Sequence, residues 1–420
     1  MAFISLFDDR AKPSGSRDPL GFESVWTYWG RKVVGNLTTV TKSSSNFAVA
    51  LLGFYWANER YESTPKGEKN RKVLELFLRY EQLTAYLRYL GGDYEMLGIR
   101  RVKTRIESEK VLNLGHEKIF QILSNQAGYG LWGLYSTALQ SGENIAAQNG
   151  IISGNDRVPT QKGRDIAELM IIKLGVHAEP IKQLLTSTKP LDRDELERLA
   201  KPFVKAISNK EVKNQLINTL MEGFGVPERE HNTQANLWKV TQALYAEEVS
   251  IENSRSFSFN LIEHPQTSPQ LKQVLRDINA IETYLLTNNI IFEYCQTQDG
   301  ILLAEVTEAI ANNFSDINYL PNSLPAGAYR NRELLVEILR LMQQKEWASV
   351  IEKILDLNSK VMGGRGGGSW VCLENGKIKV KVRESRAKLK PSSEIAETWR
   401  YTYFLNSYRQ IANSQLGKVV

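Results

Sequence analysis

The residue pattern that suggests chemistry most directly lies between residues 377 and 383. Four cations alternate there with three apolar residues, in the order Lys377, Ile378, Lys379, Val380, Lys381, Val382 and Arg383. A period of two is typical of a β-strand with one apolar face and one charged face. Asn375 and Gly376 precede this run, and both residue types tolerate the positive φ angles of a tight hairpin turn. We therefore predict a β-hairpin that presents its cations on one face.

The positive charge continues beyond this strand through Arg386, Lys388 and Lys390. Residues 360–390 contain nine cations and two anions, whereas the whole chain has a formal charge of +6, so the rest of the chain is close to neutral. Cations on one strand face repel each other unless an anionic partner or open solvent relieves the repulsion. Two explanations stay open: the cations contact the backbone of a nucleic acid, or they protect an exposed strand edge from aggregation.

Two features precede the hairpin. The glycine run at residues 363–368 lacks the Gly-Lys-Ser/Thr ending of a phosphate-binding P-loop, so we interpret it as a linker. Trp370 could stack on a nucleic-acid base, although a position in the core is the commoner role of a tryptophan. The cations of the hairpin therefore remain the main candidates for binding.

A second segment of interest runs from residue 150 to residue 164. Gly150-Ile151-Ile152 is followed by a turn at 153–156, and Pro159-Thr160-Gln161-Lys162-Gly163-Arg164 leads into an apolar helical pattern. These motifs resemble the wing and the following helix of winged helix-turn-helix domains, although Pro159 stands where that family usually has Leu. The resemblance covers residues 115–174 and implies the order helix, helix, extended piece, turn and helix. It places three cations where a wing can touch phosphate: Arg157, Lys162 and Arg164.

Winged-helix domains either read DNA or bind other proteins, and the charge distribution helps to separate these roles. Phosphate contacts made by Lys and Arg supply much of the free energy of DNA binding. Neither residue type occurs between Lys118 and Arg157, and Glu143 lies where the recognition helix is expected. We therefore favour a structural or partner-binding module. A winged-helix transcriptional regulator, which requires a dimer and a preferred operator, is the alternative.

Residue types that commonly form catalytic or metal sites show no recognisable spacing in this chain. The sequence contains no Gly-x-Ser-x-Gly or His-x-His-Asp motif, and no acidic pair followed by Lys of the kind that nucleases use. We therefore predict no catalytic residue, no metal and no cofactor, and an enzyme with a dispersed, nuclease-like active site stays open as an alternative. The histidines and cysteines are far apart in sequence: His116, His177, His231, His264, Cys295 and Cys372.

Length and composition define the general class of protein. Of the 420 residues, 42% are hydrophobic and 24% are charged, which is typical of globular proteins, and the chain is too long for one core. No apolar run approaches the roughly eighteen residues of a membrane span, and two isolated cysteines indicate a reducing compartment. We therefore expect a cytoplasmic protein without membrane contact.

We predict a mainly α, multi-domain fold with a leader (1–20), a helical domain (21–110), a winged-helix-like segment (111–180), a second helical domain (190–360), a glycine-rich linker with the basic β-hairpin (361–390) and a helical tail (391–420).

Several helix boundaries are visible in the sequence. Gly91-Gly92 follows an apolar helical pattern and predicts its end. Asp192, with Glu195 three residues later, predicts a capped helix start, and Ser268-Pro269 predicts another. The apolar residues between 334 and 354 predict one further long helical stretch.

Three other segments resemble those of uncharacterised bacterial proteins associated with anti-phage defence. They are Asp18-Pro19-Leu20-Gly21, Phe-Leu-Arg-Tyr-Glu-Gln-Leu at 77–83, and Tyr-Gly-Leu-Trp-Gly-Leu-Tyr at 129–135. This resemblance implies an accessory subunit that helps a helicase, nuclease or ATPase partner to engage DNA. We therefore expect a non-catalytic adaptor that binds partner proteins and the nucleic-acid backbone without reading sequence. The candidate nucleic-acid-binding residues are Lys377, Lys379, Lys381, Arg383, Arg386, Lys388, Arg157, Lys162 and Arg164.

Overall fold

The computed structural model describes residues 18–109, 111–140, 150–224, 233–383 and 387–417. Helices make up most of these residues, and the strands form two small antiparallel sheets of two strands each. The mainly α fold class is therefore confirmed. None of the helices in these ranges is both long enough and apolar enough to cross a bilayer.

The described residues before position 250 form a series of helices and one small sheet. In chain order the helices are α1 (Glu23–Val33), α2 (Ser44–Arg60), α3 (Lys66–Leu90), α4 (Ile99–Ser108), α5 (Gln126–Tyr129), α6 (Leu131–Leu134), α7 (Ser136–Leu139), α8 (Gln161–Leu174), α9 (Ala178–Thr186), α10 (Arg193–Ile207), α11 (Lys210–Glu222) and α12 (Thr233–Ala246). A short 3₁₀ helix at Gly175–His177 joins α8 to α9. The sheet pairs β1 (Ile152–Ser153) with β2 (Val158–Pro159).

The described residues after position 250 form longer helices and the second sheet. In chain order these elements are α13 (Ser254–Glu263), α14 (Pro269–Cys295), α15 (Leu303–Asn313), α16 (Arg332–Gln343), α17 (Trp347–Gly363), β3 (Val371–Glu374), β4 (Lys377–Val380), α18 (Ser392–Glu397) and α19 (Leu405–Leu416). The second sheet pairs β3 with β4. The hairpin predicted from the alternating cations is therefore present at the expected position.

Local sequence explains several helix boundaries. Asp192 accepts a hydrogen bond from the Glu195 N–H before α10, and α14 begins at Pro269, so both predicted helix starts are confirmed. Gly92 adopts a φ of 85° directly after α3, which confirms the predicted glycine stop. The single long helix expected across 334–354 is wrong. Lys345 adopts a φ of 58° there, and this left-handed residue separates α16 from α17.

The chain forms two compact units, and each is assembled from distant stretches of sequence. The hairpin unit, which contains β3 and β4, comprises the described residues within 1–33, 253–263 and 269–403. The wing unit, which contains β1 and β2, comprises those within 34–252, 264–268 and 404–420. The six contiguous segments expected from the sequence remain a prediction about the domains of the chain. Helical periodicity shows which face of a helix is buried, but it does not show which distant helix covers that face.

The core of the wing unit is built around α2 and α3, which pack against each other, and α10 packs on α3. Helix α2 is buried on nearly all sides, as expected for a helix whose polar residues are few. The rings of Phe54 and Phe77 stack with centroids 4.5 Å apart, and the Trp132 ring packs against both of them. Gly53 of α2 allows α3 to pack closely, because a Cβ atom at this position would lie 2.5 Å from the Tyr80 ring.

The core of the hairpin unit is built around the long helix α14, which packs against α1, α13, α17 and α18. Its buried residues include Leu271, Ile278 and Leu285, which follow helical spacing along one face. The buried Tyr284 hydroxyl donates to the Leu335 carbonyl oxygen at 2.7 Å, which ties α14 to α16. Helix α17 contacts α14, α15 and α16, and strand β3 also packs against it.

We predict that Gly53→Ala destabilises the wing unit. The new methyl group would overlap the Tyr80 ring and approach the Phe77 ring, and overpacking of this kind costs about 1–3 kcal/mol. The matched control is Gly67→Ala in α3, where a Cβ meets no atom within 4 Å and the higher helix propensity of alanine should stabilise slightly. Urea unfolding followed by circular dichroism measures both effects. Equal stability of the two variants would contradict the packing argument.

Candidate nucleic-acid interface

The turn of the basic hairpin has the geometry that its sequence predicts. Asn375 and Gly376 adopt φ angles of 52° and 73°, so both residues occupy the left-handed region that a type I′ turn requires. Strands β3 and β4 then pair in register, with Glu374 opposite Lys377 and Cys372 opposite Lys379. This register fixes which side chains share each face of the hairpin.

The alternation of cations and apolar residues separates the two faces of β4. Ile378 and Val380 are buried, with 0% and 5% of their surface exposed, whereas Lys377 is exposed and Lys379 is half-buried. Strand β3, which pairs with β4, lies against α17, so the apolar face of the hairpin is turned towards the core. The lysine side chains are therefore held on a strand that is anchored in the core of the hairpin unit.

Strand β4 is shorter than the sequence pattern suggests. We expected the alternation to continue to Arg383, but the strand ends at Val380. The N–H groups of Lys381 and Val382 both donate to the carbonyl oxygen of Trp370, at 2.8 and 3.2 Å, so two successive residues oppose one partner. This arrangement resembles a β-bulge, and it ends the strict alternation before Arg383. Lys381 is half-buried and Arg383 is exposed beyond the strand.

The outer edge of β4 is covered by the chain segment before α15. The Ile378 N–H donates to the Ile301 carbonyl at 2.9 Å, and the Ile378 carbonyl accepts from the Gly300 N–H at 2.8 Å. The next outward N–H, that of Val380, donates to Asp299 Oδ1 at 3.0 Å. Strand β4 therefore has partners on both sides. Lysines that protect a sheet belong on its open edge strand, so edge protection does not explain cations on β4.

Carboxylates compensate part of the positive charge. Arg383 Nη2 lies 2.7 Å from Asp299 Oδ2, and Glu374 stands opposite Lys377 in the hairpin. The hydrogen bond from the Val380 N–H, followed by the contact with Arg383, lowers the pKa of Asp299 below its ordinary value. Lys379 stands opposite Cys372 in the hairpin, and its charge also interacts with Asp299. Carboxylates therefore offset part, but not all, of the positive charge that four cations give to this surface.

The residues that follow the hairpin extend the positive charge only in part. Lys388 is exposed, as is Lys390, whose carbonyl oxygen accepts a hydrogen bond from Asn313 Nδ2 at 2.8 Å. This bond attaches the segment to the end of α15. Arg386, which the sequence analysis also selects, lies outside the described residues. We define the basic strip as Lys377, Lys379, Lys381 and Arg383.

The features that precede the hairpin have structural roles. The Trp370 side chain is 5% exposed, so this ring belongs to the core and not to a base-stacking surface. The backbone N–H of Trp370 donates to Asn358 Oδ1 at 2.8 Å, which ties the start of the hairpin to α17. In the glycine run, the Gly364 N–H donates to the Lys360 carbonyl and the Gly367 N–H to the Met362 carbonyl. These amides complete the C-terminal end of α17. The run connects α17 to β3.

The cations of the wing are engaged with their own unit. The Arg157 guanidinium lies over the Trp132 ring, 4.0 Å from the ring centroid, and burial lowers its pKa. Arg164 donates to the Pro159 carbonyl at 2.9 Å and to the Gln161 side chain at 3.1 Å. Lys162 is exposed. The wing therefore offers a weaker positive surface than the basic strip.

The hairpin β1–β2 and helix α8 occur where the winged-helix resemblance places a wing and its following helix. Thr160 caps α8 by accepting from the Gly163 N–H, as that sequence motif suggests. Before the wing, the described residues form the four-residue helices α5, α6 and α7, which are shorter than the helices of a helix-turn-helix. Glu143, which lies where the recognition helix is expected, falls outside the described residues.

Glu81 is a buried carboxylate that the sequence analysis did not identify, because it lies within an apolar helix pattern. Its Oε1 accepts from the Leu131 N–H at 2.7 Å, and its Oε2 accepts from Gln126 Nε2 at 2.9 Å. Burial raises the pKa of Glu81 to about 7, and these hydrogen bonds oppose the rise. The contact with Leu131 joins two of the segments singled out in the sequence, 77–83 and 129–135.

Glu282 on α14 is a comparable buried carboxylate in the hairpin unit. It accepts hydrogen bonds from the N–H groups of Arg400 and Tyr401 and from the Tyr403 hydroxyl at 2.7 Å. Burial raises its pKa to about 7 as well, against the effect of these donors. Both carboxylates are occupied by donors from their own unit. The cavity that borders Glu81 has a volume of about 10 Å³, enough for one water molecule and too small for a substrate.

No family model, curated protein or solved structure matches this chain. In the part of the chain that the structure describes, no three His, Cys, Asp or Glu side chains are grouped closely enough to hold a metal ion. The basic strip presents ammonium groups from an anchored strand, and this arrangement suits contact with an anion.

We predict that the free energy of unfolding falls as the pH rises from about 4.5 to about 7. The folded state keeps protons on Glu81 and Glu282, whose pKa values are about 7, whereas the unfolded chain releases them near the ordinary value of 4.5. The folded state thus binds more protons in this window, and each group contributes a slope of up to about 1.4 kcal/mol per pH unit.

Urea unfolding between pH 4.5 and 8 measures this dependence. Glu81→Gln removes one titrating group without changing its shape, so the fall in stability should become shallower even if the variant is less stable at every pH. Glu282→Gln should do the same for the hairpin unit. An unchanged pH slope in both variants would show that these carboxyl groups titrate normally in the folded protein.

Proposed function

We propose that this protein is a non-catalytic accessory subunit of a DNA-associated complex, and that its basic strip binds the nucleic-acid backbone without reading bases. One observation carries the proposal. Two lysines of the strip, Lys377 and Lys379, stand on β4, and Lys381 follows the strand directly. The outward backbone groups of β4 are already paired with residues 299–301, so these lysines have no open edge to protect. An anionic partner then explains why like charges are placed side by side at 377, 379 and 381.

The chemistry of the strip suits phosphate contacts. Alternate residues of a strand lie about 6.6–6.8 Å apart on the same face, so neighbouring lysines can reach separate phosphates. Lysine ammonium groups act as flexible point charges, whereas base reading usually needs planar donors that form two parallel bonds. Arg383 is the residue of the strip that could form such bonds, and its guanidinium is already paired with Asp299. Binding should therefore depend on salt and ignore sequence.

The accessory role rests on the sequence resemblance and on the state of the buried carboxylates. The resemblance to defence-associated proteins supports a partner that supplies catalysis, such as a helicase, nuclease or ATPase. The alternative of a dispersed, nuclease-like active site needs a carboxylate that a substrate can approach. Glu81 and Glu282 do not serve this role, because donors of their own units occupy them.

A winged-helix transcriptional regulator is the second candidate function. The observation that favours it is the β1–β2 hairpin followed directly by α8 with its Thr160 cap. It requires sequence-specific binding by a dimer. The stacking of Arg157 on Trp132 removes one expected phosphate contact from the wing, so we rank this function below backbone binding by the strip.

We predict that the protein binds duplex or single-stranded DNA of random sequence with a steep dependence on salt. The test variant changes Lys377, Lys379 and Lys381 to Gln, which removes three charges but keeps most of each side chain. The logarithmic salt slope should fall by about 2–3, because each lost phosphate contact removes about 0.9 from the slope on B-DNA. Fluorescence anisotropy across a salt series measures the slope.

The charge-matched control changes three exposed lysines of the wing unit, Lys201, Lys205 and Lys210, to Gln. This control should bind like the wild type. Equal losses in the two triple variants would show that net charge, and not the strip, determines binding. A clear preference for one DNA sequence would support the regulator. Absence of DNA binding by the wild type would remove the proposed function and direct attention to an acidic protein as the partner.

A further inference from the structure

Asp299 occupies an unusual position at one end of the basic strip. Its two carboxylate oxygens have different partners: Oδ1 accepts from the Val380 N–H at 3.0 Å, and Oδ2 lies 2.7 Å from Arg383 Nη2. The first contact holds the segment 299–301 against β4. The second contact brings a negative charge to a cation that the sequence pattern places in line with the lysines. One residue thus combines a structural bond with an electrostatic one.

The two contacts differ in how easily they can be exchanged. The Val380 N–H is an outward-facing backbone group of β4, and losing its acceptor would leave a strand donor unpaired. The Arg383 side chain is 73% exposed, and exposed ion pairs of this kind contribute little net stability. A phosphate that approaches the strip can therefore replace the Asp299 oxygen at Arg383 while the bond to Val380 stays in place.

We propose that Asp299 is an internal substitute for a nucleic-acid phosphate, which holds Arg383 at the end of the basic strip and releases it when a polyanion binds along the lysines. This inference rests on the proposed function. It assigns Arg383 as the last phosphate contact of the strip and Asp299 as the residue that limits its affinity. Binding then costs the Asp299–Arg383 ion pair.

Exchange of the Asp299 carboxylate for a phosphate at Arg383 should release few additional ions. In the wild type, Arg383 gains a phosphate while Asp299 loses its cation and recruits a counterion from solution, so Arg383 adds little to the net number of ions released. Without the carboxylate, the same contact should count fully. The logarithmic salt slope on B-DNA should then rise by about 0.9, the value for one additional phosphate contact.

The test uses the full chain with Asp299→Asn, which keeps an oxygen to accept from Val380 but removes the charge. We expect this variant to bind random-sequence duplex DNA about fivefold more tightly at low salt, which corresponds to the loss of one exposed ion pair, with a slope steeper by about 0.9. Arg383→Gln alone should change the slope little. The double variant should bind like Arg383→Gln alone, because Asp299 acts through Arg383.

The outcomes separate this inference from the proposed function. If the wild type binds through the lysines but Asp299→Asn leaves affinity and slope unchanged, Asp299 only anchors the edge of β4 and the inference is wrong. If the gain persists in the double variant, the carboxylate acts by general repulsion and not through Arg383, which also overturns it. If the wild type binds no DNA, the proposed function itself fails. The melting temperature of Asp299→Asn should match that of the wild type. Arg383→Lys, made in the wild-type background, is a second variant and should keep the contact with Asp299.

Discussion

The hydrogen bonds between β4 and residues 299–303 are the constraint on which the candidate interface depends. A two-stranded hairpin is marginally stable in water, and a strand with four like charges nearby is less stable still. Here the outward groups of Ile378 bond to Gly300 and Ile301, and the Leu303 N–H bonds to the Gly376 carbonyl beside the turn. The buried side chains of Ile378 and Val380 hold the opposite face in the core. The lysines are thus presented on a strand whose position is fixed by other parts of the unit.

A similar principle operates in both compact units, where a buried carboxylate joins segments that are distant in sequence. Glu81 binds the backbone of the region around α6, and Glu282 binds the backbone at 400–401 and the Tyr403 hydroxyl. Burying such a group costs free energy, and hydrogen bonds offset part of that cost. The residue types involved could support acid–base chemistry. Their surroundings instead show that they organise irregular segments against α3 and α14.

The electrostatic character of the interface follows from the same packing. The covering segment supplies backbone partners to β4, and it also brings Asp299 to Arg383. The same segment therefore stabilises the hairpin and offsets part of its positive charge. The cations of the wing are held differently, since Arg157 is stacked on Trp132 and Arg164 donates to the Pro159 carbonyl oxygen. This contrast is the physical reason why the basic strip is the better candidate for binding a polyanion.

The local features of this structure were determined by the sequence itself. The alternation at 377–380, the Asn375-Gly376 turn and the Asp192 cap depend on neighbouring residues, so local chemistry is sufficient to predict them. The left-handed backbone at Lys345 ends α16 locally, whereas the end of β4 at Val380 and the burial of Trp370 were decided by tertiary packing. The same holds for Glu81 and Asp299, whose partners lie 50 and 84 positions away. The sequence specifies which side chains share a local face, and only the folded chain decides which distant groups cover that face.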